Sequence, residues 1–383
     1  MARTWTKLFP QACSWQNLLQ AWQRCRRGKR YSVAAADFAL HWDQNLLRIQ
    51  TALTEGTWRP GPYRHFHISQ PKPRLISAAP FSDRVVHHAI VQVLEPIFER
   101  RFIFDSYACR RGKGTHAAIS RTQHFLRRYP WSLKTDIVRF FPNVDHQLLR
   151  SLLGRHIRDP RFLSLLDLVI DSGVGVLDNP RVYQAFPGDN LFSILRPVGL
   201  PIGNLTSQFF ANVFLDPLDH YIREVLRVPG YVRYCDDLVL FGNSREQMWQ
   251  YRDAVGDYLK TIRLRLHPHK THVAPQHRGV NFLGFSIQPN QRRLLTSAIR
   301  RFSGKLALMQ WQLQQGLTTF SAVARSIRSW MAHSEHANST GIQRTLMRRV
   351  VFRRCRDCTP RPVHESSDLF AELLRDTDQL RPD

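Results

Sequence analysis

Long apolar runs are missing from this sequence. No window approaches the roughly 18 consecutive uncharged apolar residues that a membrane-spanning helix needs. Residues 1–10 also lack the apolar core segment of a secretory signal peptide. These absences exclude an integral membrane protein, so no membrane partner is expected and the prediction is a soluble, cytoplasmic protein.

Cysteine is scarce and irregularly placed. Six cysteines occur in 383 residues, without the regular spacings of a disulfide framework, so reduced thiols are expected. The Cys355-x-x-Cys358 pair has no second cysteine pair or nearby histidine pair to complete a zinc site. A disulfide scaffold and a structural zinc module are therefore both disfavoured.

Acidic residues are also few. The chain has 30 Asp and Glu against 55 Lys and Arg, for a formal net charge of +25. Solubility alone needs far less charge, and acidic residues supply it better. An excess of this size attracts a polyanion, and nucleic acid is the predicted partner.

Hydrophobic residues make up 43% of the chain, enough for a substantial core and two or three domains. Helix-spaced apolar residues predict basic helices over 11–60, with a charged break at 24–30. Residues 65–68 and 74–77 predict a hairpin that carries Lys72 and Arg74.

A further helix is predicted from residue 83, with Ser82 and Asp83 at its start. Others are predicted over 117–128, 145–171 and 246–262. The Gly-, Pro- and Asn-rich stretch 172–198 predicts a loop, and Thr206 or Ser207 is a candidate cap for the next helix. Residues 279–285 predict a short hairpin element, and three basic helices are expected over 290–358.

Two adjacent carboxylates, Asp236 and Asp237, lie between the apolar runs of residues 231–241, which predict a hairpin with the carboxylates at its tip. Neighbouring carboxylates repel each other, and a divalent cation removes that cost. A solvated turn is the alternative. Asp136, which ends a predicted strand over 131–136, supplies a third carboxylate. In a basic chain, this set favours two-metal phosphoryl transfer on nucleic acid, with magnesium as the metal.

The chain resembles the reverse transcriptases, because eight short motifs over residues 60–290 stand in that family's order. They are Arg74-Leu75-Ile76, Asp83-Arg84-Val85-Val86, Ser106-Tyr107-Ala108-Cys109-Arg110, Asp136 with Phe140-Phe141, Gly203 with Ser207, Tyr234-Cys235-Asp236-Asp237, Lys270, and Asn281-Phe282-Leu283-Gly284. The resemblance implies RNA-templated DNA synthesis from dNTPs on an RNA–cDNA duplex.

Within that family, residues 202–208 resemble the branch of diversity-generating retroelements. Most reverse transcriptases have Gln at the position of Ile202 and Pro at that of Gln208. This likeness implies a bacterial or phage-encoded, error-prone enzyme that copies a template-repeat RNA into cDNA with errors at template adenines. It also implies a small basic accessory protein, oligomeric in that branch, as a partner.

The resemblance also implies roles for individual residues. Asp136, Asp236, Asp237 and the carbonyl of Ile137 would hold two Mg²⁺ ions, with Mn²⁺ as a possible substitute, and Lys270 would donate a proton to pyrophosphate. Lys72 and Arg74 would bind the triphosphate, and Phe141, or its neighbour Phe140, would exclude a ribose 2′-hydroxyl. Ile202, Gly203 and Gln208 would line the substrate site. The candidate nucleic-acid contacts are Arg110, Lys113, Arg344, Arg348, Arg349 and Arg353.

The expected fold is α+β, a right-hand polymerase. Its parts are an N-terminal helical extension (1–60), fingers (61–130), a palm with an antiparallel sheet and part of the fingers (131–289), a helical basic thumb (290–358) and an acidic mobile tail (359–383). A group II intron-type reverse transcriptase and maturase, and a catalytically silent RNA-binding scaffold in phage defence, are the alternative functions.

Overall fold

The computed structural model describes residues 4–29, 32–69, 72–177, 185–348 and 352. The chain divides into two compact units, Met1–Arg278 and Gly279–Asp383, each with its own internal packing. The structure contains both helices and β-strands, so the predicted mixed class of helices and sheets is confirmed. No helix in the described ranges is long and apolar enough to cross a membrane.

The first unit begins with four helices: α1 (Leu8–Cys13), α2 (Trp15–Cys25), α3 (Val33–Leu40) and α4 (Trp42–Glu55). The predicted helices are confirmed as far as Glu55, and so is the predicted break after Cys25, whereas further breaks at Ser14 and His41 were not predicted. One break lies at Ser14, whose side chain accepts a hydrogen bond from the Asn17 N–H and caps α2. Leu18 and Trp22 of α2 are buried, so the apolar stripe serves the core.

A two-stranded hairpin follows, with β1 (Arg64–Ile68) antiparallel to β2 (Arg74–Ala78), as predicted. Next come α5 (Phe81–Phe98) and α6 (Thr115–Arg128). Ser82 and Asp83 lie in the first turn of α5, as predicted, although the helix begins slightly earlier, at Phe81. The Asp83 carboxylate accepts the Gly61 N–H at 2.7 Å. Asp83 therefore ties the chain before β1 to α5.

A four-stranded antiparallel sheet forms the centre of this unit. It contains β3 (Trp131–Asp136), β4 (Gly230–Tyr234), β5 (Asp237–Gly242) and β6 (His272–Pro275), in the order β4-β5-β3-β6. All residues of β4 before Tyr234 are buried, and so are all residues of β5 after Asp237. The apolar runs therefore form core strands, and the polar residues between them lie at one end of the sheet.

Helices pack around this sheet: α7 (Phe140–Asn143), α8 (His146–Gly154), α9 (Pro160–Asp171), α10 (Leu205–His220) and α11 (Arg245–Thr261). The single helical span predicted for 145–171 is interrupted, because Asp159 caps a new helix that starts at Pro160. The predicted caps Thr206 and Ser207 are wrong. Both are buried within the first turn of α10, and Asn204 holds the N-cap position.

The predicted loop 172–198 contains a 3₁₀ turn, Leu191–Leu195, and residues 178–184 lie outside the described ranges. The turn was not predicted from the loop's Gly- and Pro-rich composition. Asn190 and Ser193 close it with a reciprocal capping box.

The second unit contains a three-stranded antiparallel sheet and three helices. The strands are β7 (Val280–Phe282), β8 (Phe285–Ile287) and β9 (Arg292–Leu294), and the helices are α12 (Thr296–Gln314), α13 (Phe320–Ser334) and α14 (Thr340–Arg348). Phe302 and Trp330 stack with ring centroids 4.0 Å apart in its core. The three predicted helices are thus confirmed as far as Arg348, and the predicted tail over 359–383 lies outside the described residues.

Candidate active site

The predicted hairpin with two carboxylates is present. The loop between β4 and β5 has only two residues, Cys235 and Asp236, because Tyr234 pairs directly with Asp237. Cys235 adopts a left-handed backbone conformation, with φ of 58°, as a two-residue hairpin loop requires. This turn projects Asp236 from the end of the sheet.

The strand register brings Asp136 to the same end. Asp136 pairs across the sheet with Asp237, and the Ile137 N–H donates to the carbonyl of Asp236 at 3.2 Å. Asp136 and the adjacent pair Asp236 and Asp237, a hundred residues further along the chain, are therefore gathered where β3, β4 and β5 meet.

The carboxylates interact electrostatically. Burial, followed by repulsion from Asp136 and Asp237, raises the pKa of Asp236 from 3.8 to about 6. Burial also raises the pKa of Asp237, against the opposing effect of Lys134. The fold thus holds negative charge in a place where protonation or a bound cation relieves the repulsion.

Two lysines lie against these carboxylates. The Lys270 ammonium donates to Asp136 Oδ2, and Lys134 Nζ lies 3.5 Å from Asp237 Oδ1. The exposed fractions of these two lysine side chains are 41% and 25%. Lys270 therefore lies beside the predicted metal ligands. Both lysine side chains are flexible and reach solvent, so they can adopt rotamers that place the ammonium group away from the carboxylates.

In the described ranges, no group of three or more His, Cys, Asp or Glu side chains is arranged as a finished metal cluster. The ammonium groups of Lys134 and Lys270 occupy carboxylate oxygens that a metal would use. The carboxylate oxygens themselves are suitable ligands for a hard divalent cation, because the repulsion between Asp136, Asp236 and Asp237 would be reduced by a bound positive charge.

The two candidate gate residues have different surroundings. Phe140 is 2% exposed and packs against Phe214, with ring centroids 6.4 Å apart, so it belongs to the core. Phe141 is only partly buried, and its carbonyl accepts the Leu200 N–H at 2.8 Å. Of the two rings, Phe141 is the one with surface available to a substrate.

The Ile202–Gly203 segment lies against the β1–β2 hairpin. The Ser77 N–H donates to the Ile202 carbonyl at 2.8 Å. Gly203 has φ of 124°, and a β-carbon there would lie 2.9 Å from Ile76 Cγ2, so any other residue would be strained and would clash. Ile202 is therefore fixed to the strand that begins with Arg74.

The side chains of Lys72, Arg74 and Gln208 are exposed. Burial, followed by the charge of Lys270, lowers the pKa of His267, with smaller contributions from His269 and Lys72. The backbone N–H of His267 donates to the Asp136 carbonyl at 2.7 Å. Gln208 lies in the first turn of α10.

Arg110 has surroundings different from those expected of a nucleic-acid contact. Its side chain is 4% exposed, forms a two-pronged ion pair with Glu99, and donates to the carbonyls of Ile103 and Ser106. Its guanidinium therefore stabilises the turn after α5 rather than facing solvent. A short family-like motif cannot reveal this, because burial depends on the rest of the fold.

Lys113 donates to the Phe104 carbonyl at 2.9 Å, and its ammonium lies 3.3 Å from the centroid of the Phe104 ring. In the second unit, Arg344 and Arg348 are exposed on α14. Arg349 and Arg353 lie outside the described residues.

Sequence reasoning missed Lys134 and Arg233. Lys134 lies on β3 two residues before Asp136, and Arg233 is fully buried in β4. A charged residue within an apolar run was the available signal for Arg233, because a buried charge requires a partner.

Comparison with known proteins agrees with this geometry. Residues 68–287, more than half of the chain, match the family model "Reverse transcriptase (RNA-dependent DNA polymerase)". "Protein YkfC" of Escherichia coli (strain K12) is 26% identical over 318 residues, which are 70% of this chain and 79% of that protein.

"Group II intron-encoded protein LtrA" of Lactococcus lactis subsp. cremoris is 25% identical over 186 residues, 48% of this chain and 29% of LtrA. "Nuclear intron maturase 1, mitochondrial" of Arabidopsis thaliana is 32% identical over 165 residues, 40% of this chain and 23% of that protein. The alignments thus span less than a third of either intron-related protein. The family match covers the four-stranded sheet and the carboxylates gathered at its end. The chain therefore belongs to the reverse transcriptase family and is an RNA-directed DNA polymerase.

Proposed function

We propose that this enzyme is the error-prone reverse transcriptase of a diversity-generating retroelement, which copies a template-repeat RNA into cDNA mutated at adenine positions. The observation that carries the proposal is Ile202, an apolar side chain where most of the family has Gln. Ile202 is half-buried and is fixed by its carbonyl to β2. Isoleucine offers shape and apolar contact, whereas a Gln there would offer a hydrogen bond to the substrate.

In this proposal the molecule is a right-hand polymerase with fingers over 61–130, a palm over 131–289 and a thumb over 290–358. The exposed Lys72 and Arg74 bind the triphosphate of the incoming dNTP, with the guanidinium of Arg74 able to hold two oxygens. Phe141 presents its partly exposed ring to the sugar, and Gly203 and Gln208 border the same site.

Asp136, Asp236, Asp237 and the carbonyl of Ile137 are proposed to hold the divalent ions that reverse transcriptases generally use. When bound, two Mg²⁺ ions would activate the primer 3′-hydroxyl and stabilise the leaving pyrophosphate, and Mn²⁺ could replace them. Lys270 leaves Asp136 and protonates the pyrophosphate. Its position at the carboxylates supports this role, because a proton donor must lie within reach of the leaving group.

Template RNA and the RNA–cDNA duplex are proposed to bind through basic side chains, including Lys113 and the exposed Arg344 and Arg348 of α14. Arg349 and Arg353 belong to the same proposal. A small basic, oligomeric accessory protein is the proposed protein partner, in a bacterial or phage-derived cytoplasmic setting.

The test is the Ile202→Gln variant, with misincorporation opposite template adenine measured by sequencing primer-extension products. One restored polar contact is worth about 1 kcal/mol, so errors at adenine should fall several-fold. Leu47→Gln, the same kind of change at an exposed apolar side chain on α4, is the control for a general effect of an apolar-to-amide substitution. An unchanged error rate in Ile202→Gln would remove Ile202 from the mechanism.

A group II intron-type reverse transcriptase is the second candidate, favoured by the likeness to LtrA and to the intron maturases. The DNA beside the gene separates the two. A pair of near-identical repeats that differ at adenines supports the retroelement, whereas a flanking ribozyme intron supports the second candidate.

A further inference from the structure

A fully buried arginine lies next to the catalytic turn. Arg233 occupies β4 two residues before Cys235, and its side chain and that of Asp219, on α10, are both 0% exposed. A buried guanidinium is retained only where carboxylate and carbonyl oxygens satisfy it, so each of its donors has a structural consequence.

One side of the guanidinium is held by helix α10. Arg233 Nε donates to Asp219 Oδ1 at 2.8 Å, and Nη2 donates to Asp219 Oδ2 at 2.6 Å. Asp219 also accepts the Tyr231 hydroxyl at 2.8 Å. This two-pronged pair fixes the plane of the guanidinium and therefore the direction of its remaining donors.

The remaining nitrogen, Nη1, reaches the turn itself. It donates to Asn212 Oδ1 at 3.1 Å and to the carbonyl of Cys235 at 3.2 Å. Asn212 is in turn fixed by donating to the Ala108 carbonyl at 2.9 Å. The Cys235 carbonyl is thus bound to a group that neither rotates nor reaches solvent.

That carbonyl belongs to the strained residue of the turn. Cys235 has φ of 58°, a conformation that non-glycine residues adopt only when their surroundings impose it. The Cys235 carbonyl and the Asp236 nitrogen share one planar peptide unit, so fixing the carbonyl fixes the start of Asp236.

We propose that Arg233 is a positioning residue for metal binding, which orients Asp236 through the Cys235 carbonyl while Asp219 and Asn212 orient Arg233. The inference rests on the proposed role of Asp236 as a metal ligand. Asp219 cancels the charge of Arg233, so the arginine supplies direction without competing with the metal for the carboxylates.

The test compares Arg233→Lys with Arg150→Lys. Lysine keeps the positive charge beside Asp219 but lacks the planar guanidinium, whose Nη1 donates to the Cys235 carbonyl while its other nitrogens bind Asp219. Arg150 forms a two-carboxylate ion pair with Asp167 and Asp171, away from the turn, and serves as the matched control. Mn²⁺ binding to the protein without nucleic acid is measured by electron paramagnetic resonance, and primer extension is measured at saturating dNTP.

Loss of a group that orients a metal ligand commonly weakens metal affinity or activity by about 10–100-fold. We therefore expect Arg233→Lys to bind Mn²⁺ at least several-fold more weakly and to lose kcat within that range, with the KM for dNTP changed by less than about 3-fold. Arg150→Lys should match the parent. A folded Arg233→Lys with the parent's Mn²⁺ affinity would overturn the proposal.

Two further variants keep the outcome decisive. Asn212→Ala removes one acceptor of Nη1 and leaves the ion pair, and it should weaken Mn²⁺ binding in the same direction by a smaller factor, even if Arg233→Lys does not fold. Unchanged Mn²⁺ affinity in folded Asn212→Ala would count against the proposal. If Asp236→Ala binds Mn²⁺ as tightly as the parent, the metal role of Asp236 fails, and the proposal fails with it for that separate reason.

Discussion

Two acidic clusters flank strand β4, and the cations beside them differ. At one end of the strand, Asp136 and Asp237 contact Lys270 and Lys134, whose side chains are partly exposed. Against its buried face, Asp219 contacts Arg233, and both side chains are fully buried. The first pairs join carboxylates to flexible ammonium groups, whereas the second joins a carboxylate to a rigid fork.

The lysine pairs at Asp136 and Asp237 can separate and leave room for another cation, whereas the buried pair of Asp219 and Arg233 cannot. A lysine at the surface leaves its carboxylate at little cost, since exposed ion pairs contribute only about 0–1 kcal/mol. Breaking a buried pair costs about 3–5 kcal/mol, because a charge is left without a partner. On the proposed assignments, the cluster at Asp136 and Asp237 would exchange its lysines for a metal, whereas the buried pair of Asp219 and Arg233 would hold the turn in place.

The largest expected effect comes from removing a carboxylate of the exchangeable cluster. Asp236→Asn should lower the rate of metal-dependent primer extension at least about a thousand-fold, because the amide cannot replace the charge that binds a divalent ion. The thermal midpoint without metal should stay or rise, since burial and repulsion by Asp136 disfavour the ionised Asp236.

The matched control is Asp167→Asn, whose partly exposed carboxylate pairs with Arg150 on neighbouring helices. It should polymerise like the parent. Metal-dependent synthesis by Asp236→Asn at the parent's rate would remove Asp236 from the proposed metal site.

A second effect tests the buried cluster through pH. Burial, followed by repulsion from Asp219, raises the pKa of Asp216 from 3.8 to about 6. Among the described residues its buried Oδ1 has no hydrogen-bond partner, and His220 Nε2, at 3.5 Å from that oxygen, only partly offsets the effect of burial. Ionised Asp216 therefore destabilises the fold above pH 6, and the cost disappears as both folded and unfolded forms become protonated below about pH 4.

Asp216→Asn should consequently raise the free energy of unfolding by up to about 3 kcal/mol at pH 8 and by little at pH 4. Urea unfolding at the two pH values measures this. Asp257→Asn, at a 73% exposed side chain, should change stability by less than about 0.5 kcal/mol at either pH. An equal gain for Asp216→Asn at both pH values would contradict the electrostatic cause.

The smallest effect concerns the lysine beside Asp237. Lys134→Met keeps the length of the stem and removes the ammonium that competes with a metal, so the Mg²⁺ concentration for half-maximal synthesis should fall. A partly exposed pair of this kind is worth about 0.2–1 kcal/mol, or roughly 1.4- to 5-fold. Lys260→Met, which removes an exposed pair with Asp257 on α11, is the control. A higher Mg²⁺ requirement in Lys134→Met would mean that Lys134 assists the metal.

The sequence was most informative where local pattern decides structure. The hairpin around Asp236 and the strand that ends at Asp136 were both predicted, because runs of apolar residues specify buried strands. The cap predictions at Thr206 and Ser207 were wrong, because both side chains are buried within the first turn of α10 and Asn204 holds the N-cap position. Helix starts depend on tertiary contacts that short-range pattern does not contain.

The candidate site also has features that the sequence predicts and features that only the fold reveals. The identity of its carboxylates could be proposed from motif order, whereas the partners of Arg110 and Arg233 could not, because burial of a long side chain depends on residues far away in the chain. The same limit applies to the choice between Phe140 and Phe141, which differ only in what packs against them.

By itself the sequence determined the basic charge of the chain, its family-like motif order, the strands that carry Asp136 and Asp237 and the turn that carries Asp236. Only the tertiary structure decided which cation faces each carboxylate. Composition and short-range periodicity are properties of neighbouring residues, whereas an ion pair requires two side chains to meet in space. The contact between Arg233 and the Cys235 carbonyl exists because helix α10 holds Asp219 and Asn212 against β4.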